Sequence, residues 1–117
     1  MSQYYELDGT TLWNAATGVS RLFLRQLAVF EAELGLPSGI GPMYSDECRI
    51  APAELAPFAD AVLAHHQRTR HPVIRALSGG FTATLLALAE RAGAAPDLTP
   101  HPELRAMTRE LSRTMAR

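Results

Sequence analysis

Apolar residues recur along most of this chain at three- and four-residue spacing, the period of a helix that buries one side. From Thr17 to Leu34 the period is carried by Val19, Leu22, Phe23, Leu27, Phe30 and Leu34, while Arg21, Arg25, Glu31 and Glu33 fall mostly elsewhere. This predicts an amphipathic helix over 17–34, ended by Gly35 and Pro37. A second helix is expected over about 53–70, opening at Pro52 and placing Leu55, Phe58, Ala59, Val62, Leu63 and His66 on one face. Pro72 then starts a third, over 72–92, with Ile74, Leu77, Phe81, Leu85 and Leu88 directed inward and Gly93 closing it. Inside it, Gly79-Gly80 costs about 1 kcal/mol per glycine relative to alanine, which marks a close backbone approach or a kink. The last helix, over 100–116, carries a narrow stripe of Leu104, Met107, Leu111 and Met115.

The period changes at the N-terminus. Two short runs rich in aromatic and β-branched residues flank Asp8-Gly9, a strong short-range signal for a β-hairpin, here over about 3–13. A lone hairpin is marginal in water, so its apolar side, with Leu12 or Trp13, must dock on helices or pair with a second chain. Between the first two helices, 35–52 holds three glycines and three prolines around Met43 to Ile50. It reads as a long loop with a short extended piece at Cys48 to Ile50, and such loops are more often functional than average. The expected fold is mainly α: a small four-helix bundle with an N-terminal β-hairpin, one domain over 1–117.

Composition narrows the function classes. The chain is 47% hydrophobic and 20% charged with a net charge of −1, as in an ordinary globular protein. No apolar run reaches the roughly 18 residues of a membrane span, and the opening Met1-Ser2-Gln3-Tyr4-Tyr5-Glu6 lacks the pattern of a secretory signal, so no membrane and a cytoplasmic location are expected. The near-neutral charge disfavours nucleic acid as a partner. All 11 basic residues are arginine, a bias of high-GC genomes. One cysteine excludes an internal disulfide and four-cysteine zinc sites.

Several residues are candidates for chemistry. His65, His66 and His71 bring the acid–base and metal-binding side chain, yet neighbours on a helix point about 100° apart and do not chelate one ion together, so no metal is expected. Cys48, next to Asp46 and Glu47, lies in the long loop just before a helix, where a nucleophile is conceivable, although a free cysteine more often behaves as a small buried hydrophobe. Arg105, Arg109, Arg113 and Arg117 form a ridge at four-residue spacing, suited to an acidic partner or to solvent. No phosphate loop, nucleophile elbow, HExxH or dinucleotide fingerprint is present, and no cofactor is expected.

The pattern Leu12-Trp13-Asn14, Gly18, Leu22-Phe23-Leu24, then Gly35 to Pro42, Asp46-Glu47-Cys48 and Arg70-His71-Pro72-Val73 resembles a family of short uncharacterised actinobacterial proteins. The resemblance spans most of the chain and implies no activity. Two readings follow. One is a non-catalytic interaction protein, an accessory, regulatory or immunity-type factor acting as a homodimer or small subunit of a complex, with Arg105, Arg109 and Arg113 binding the partner. The other is a small enzyme or small-molecule binder, with Trp13 and Tyr44 lining a pocket and Cys48, His66 and Asp46 doing its chemistry.

Overall fold

The computed structural model describes residues 1–115. Its elements run β1 (Ser2–Leu7), β2 (Thr10–Ala16), α1 (Thr17–Leu34), β3 (Glu47–Arg49), α2 (Pro52–Arg68), α3 (Pro72–Arg91) and α4 (Pro102–Thr114). The hairpin turn uses Asp8 and Gly9 at φ 49° and 79°, the paired left-handed conformation that matches the twist of two antiparallel strands. A bulge between Tyr5 and Glu6 lets Tyr5 face Trp13 while Glu6 faces Thr11.

The fold class is α+β, and a helical bundle with an appended hairpin is incorrect. Residues 47–49 join the hairpin as a third strand, parallel to β1, to give a mixed sheet of order β2-β1-β3. Only three residues long, this strand carries no readable alternation, and its partner lies more than forty residues away. The loop wraps its outer edge: Gly41 N–H donates to Arg49 carbonyl, and Tyr44 and Glu47 exchange backbone bonds across a turn held by Ser45 and Asp46. Edge closure of this kind protects a sheet from unwanted pairing.

Sheet and helices meet through aromatic rings. Tyr5 stacks on Trp13 at 4.9 Å, both meet the edge of Phe23 in α1, Phe23 stacks on Phe81 in α3 at 5.7 Å, and Phe81 lies flat on Phe30 at 4.5 Å. Beneath them α3 forms the centre of the core, buried along almost every position from Phe81 to Ala89. By length and composition α3 is apolar enough to cross a membrane, but 56% of its apolar window is buried inside the fold, which marks it as a core helix. Arg91, at its end, donates to Leu12 carbonyl at 2.7 Å and to the Ser112 and Met115 carbonyls at 2.6 and 3.1 Å, tying β2 to the end of α4.

Several expected inward positions point outward instead. Val19 and Leu22 of α1 are 54% and 60% exposed, because this helix docks through Ser20, Phe23 and Leu27. Ile74 and Leu77 are 43% and 75% exposed, because the first turns of α3 extend beyond the core. In α4 the buried residues are Leu104 and Thr108, with Met107 outside, and Met115 is buried just past the helix end.

Gly39 shows how tightly the loop seats on α2. It holds φ +75°, and a Cβ there would fall 2.5 Å from Ala51 carbonyl oxygen and 2.7 Å from Leu55 nitrogen, both backbone atoms. Gly39→Ala is therefore expected to destabilise the fold by about 2–4 kcal/mol, combining left-handed strain with overpacking. Urea titration of the two proteins measures it, and a loss under 1 kcal/mol would show that the loop yields easily.

Candidate functional site

The sequence candidates divide among different places. Cys48 is 2% exposed at the centre of β3, opposite Tyr5 of β1. Burial, with Glu6 adding, pushes its thiol from 9.0 up to about 12, so it stays protonated and is a poor nucleophile. Asp46 sits in a left-handed turn at φ 63° and accepts a hydrogen bond from Gln3 Nε2 at 3.2 Å. That bond ends a polar chain. Tyr5 hydroxyl donates to Ser20 Oγ at 2.8 Å, since Ser20 in turn donates to Gln3 Oε1 at 2.6 Å and that oxygen only accepts. Asp46 thus serves to hold the loop to the sheet.

Trp13 is buried in the aromatic run, whereas Tyr44 is 75% exposed. Tyr44 and Cys48 line an open cavity of about 870 Å³ at the hairpin tip, with Glu6, Asp8, Glu47 and Arg49. Trp13 lines another, and His66 a third. The structure thus does not bring Trp13, Tyr44, Cys48 and His66 to one pocket.

Of His65, His66 and His71, only His66 is buried. It is 7% exposed in α2, and its Nδ1 is 2.9 Å from Ser78 Oγ of α3. Burial first, then the charges of Arg75 and His65, hold its pKa below the ordinary 6.5. Its cavity, about 460 Å³, includes Arg75, His101 and Glu103. Arg75 is fixed there by donating through Nη1 to the carbonyls of His66 and Thr69, at 3.3 and 3.2 Å, so it also closes the end of α2. His65 packs edge-on against Phe30 at 6.0 Å, and His71 Nδ1 caps α3 by accepting from Val73 N–H. Among the described residues no group of three or more His, Cys, Asp or Glu is placed to hold a metal ion.

Arg105, Arg109 and Arg113 are exposed along α4, and Arg113 pairs with Glu110 at 2.9 Å in full contact with solvent, a pair of little energetic weight. Arg117 lies outside the described residues.

The feature that the helical period did not single out is an apolar outer face. Val19, Leu22 and Val29 of α1 are 54–60% exposed, and Val73 and Leu77 of α3 are 58% and 75% exposed. A groove of about 390 Å³ lies where α1 and α3 meet the end of β2 and the end of α4, lined by Leu22 and Gln26 of α1, Gly80 and Thr84 of α3, Asn14 of β2 and Leu111 of α4. Leu77 lies about one helical turn before Gly80 on α3 and outside the groove's lining. The signal was present: α1 and α3 carry more apolar residues than one buried face uses.

These features define a small α+β protein, a three-stranded mixed sheet against four helices, whose sequence candidates are spread over separate sites and whose α1 and α3 carry exposed valines and leucines. The chain belongs to a family of unknown function (DUF6086), whose model matches residues 1–117. No curated protein and no solved structure matches it.

Cys48 and Tyr5, the latter raised from 10.0 to about 12 chiefly by burial, give a pH dependence. Both keep their protons longer folded than unfolded, so the folded state binds more protons and stability falls as pH rises. The fall is expected to begin near pH 9, where an unfolded cysteine ionises, and to continue towards pH 12. Cys48→Ala should move the onset up towards pH 10, the tyrosine range; urea melts across the alkaline range read it, and an unmoved onset would clear Cys48.

Proposed function

We propose that this chain is a non-catalytic interaction protein of the actinobacterial cytoplasm, an accessory, regulatory or immunity-type factor, which binds through the α1–α3 face as a homodimer or as the small subunit of a complex. The observation that carries the reading is the exposure of Leu77 of α3 at 75% and of Leu22 of α1 at 60%, on two helices whose inner sides already fill the core. Exposed apolar surface on facing elements serves docking, since in a monomer it invites aggregation.

Two glycines support the same reading. Gly18 of α1 and Gly80 of α3 are exposed, and a Cβ at either would meet nothing within 4 Å. Gly80, in the interior of α3, lowers helix stability by about 1 kcal/mol relative to alanine with no steric need inside the chain. A partner approaching closely from outside supplies the need.

The test sets two effects against each other. Gly80→Ala is expected to stabilise the isolated fold by up to about 1 kcal/mol and to weaken association. Leu77→Glu should abolish association with little change in melting temperature. Light scattering alongside thermal denaturation reads both, and association indifferent to both substitutions would remove the face from the reading.

A second reading, a small-molecule binder, is favoured by one observation: His66, held by Ser78, lines a cavity beside a fixed Arg75. It requires that a screen of small anionic molecules raise the melting temperature of the protein and that His66→Gln and Arg75→Gln abolish the rise.

A further inference from the structure

The charges on α1 run against the helix's own dipole. Its first turn holds no acid and its last turn no base. Arg21 and Arg25 lie in its first half, while Glu31 and Glu33 lie in its final turn, where the partial negative charge of the free carbonyls disfavours them. Glu31 has a local use, accepting from Ser38 N–H at 3.2 Å. Glu33 does not, and neither Arg21, Arg25 nor Glu33 forms an ion pair among the described residues.

The outward face of α1 places these charges around an apolar centre. Leu22, Arg25, Val29 and Glu33 follow one another at intervals of three, four and four, so they share one side of the helix, and all are exposed. Beyond the left-handed C-cap at Gly35, Leu36 is exposed as well. The arrangement is self-complementary under a two-fold axis at Val29. An antiparallel copy of α1 sets Val29 against Val29, Arg25 against Glu33 on both sides, and Leu22 near Leu36. Such reciprocity, in which one residue meets another and is met by it in return, is the requirement of an isologous interface. Antiparallel packing also opposes the two helix dipoles and puts an arginine beside each carboxylate that its own helix disfavours.

From this geometry we infer that the occupant of the α1–α3 face is a second copy of this chain, docked with α1 antiparallel to α1 about Val29, two Arg25–Glu33 pairs fixing its direction. The inference rests on the proposed interaction role and names its partner. With Leu77 and Gly80 of α3 beside it, the assembly is a four-helix junction in which each copy contributes α1 and α3. The 18 residues of α1 extend about 27 Å, and with α3 about 9 Å away they present on the order of 500 Å² in projection, the lower range of specific interfaces. Association in the micromolar range is expected.

Charge reversal in the full-length chain tests the orientation. Arg25→Glu alone and Glu33→Arg alone each oppose like charges across the axis and should weaken the dimer about tenfold or more in sedimentation equilibrium. The double variant, and an equimolar mixture of the two single variants, restore opposite charges at both pairs and should recover dimer affinity close to the original. A Val29→Cys chain should cross-link to a dimer with a short bis-maleimide, with Ala64→Cys on α2 as the control that does not. A dimer weakened by Leu77→Glu but indifferent to the reversals would overturn the antiparallel pairing and leave the face in use. Indifference to every substitution would overturn the face as well, and a chain that stays monomeric throughout would overturn the second copy as partner.

Discussion

The run of rings from Trp13 through Tyr5, Phe23 and Phe81 to Phe30 is the contact on which the arrangement of the other elements depends. It crosses from the sheet to α1 and from α1 to α3, elements that otherwise share little side-chain surface. Each such pair contributes roughly 0.5–1.5 kcal/mol beyond its buried area, and ring geometry sets orientation as well as attraction. With Phe23 and Phe30 both turned towards Phe81, α1 has one possible inner side. Val19, Leu22 and Val29 are then left on the other.

That consequence links folding to function. A helix with one buried stripe normally presents polar residues to water. Here the same rotation that completes the core exposes a second apolar row, with arginines at one end and a glutamate at the other. The polar chain Tyr5–Ser20–Gln3–Asp46, buried at Tyr5 and Ser20 and exposed at Asp46, works alongside the rings. It ties the sheet, α1 and the loop to one another.

The chemistry candidates follow the same logic from the other direction. Cys48 became a strand residue, and strand pairing with Tyr5 removed it from water, which raises the thiol pKa and silences it. His71 became a helix cap, and His66 a buried partner of Ser78. Each was conspicuous by residue type. Reactivity, however, depends on solvent access and on neighbours distant in sequence, and neither is written at the position itself.

What the sequence by itself determined is local. Asp8-Gly9 specifies the hairpin turn because two consecutive left-handed residues are required there. Gly35 ends α1 in a left-handed cap and Pro72 opens α3, because each acts through its own backbone. The apolar period likewise marked where helices lie. Only the tertiary structure decided that residues 47–49 form a third strand, since three residues carry no usable alternation and the pairing is with β1. Only it decided which apolar row of α1 and α3 turns inward. Both rows satisfy helical spacing equally, and the choice is made by rings on other elements, so the outer face emerges only when the chain is packed.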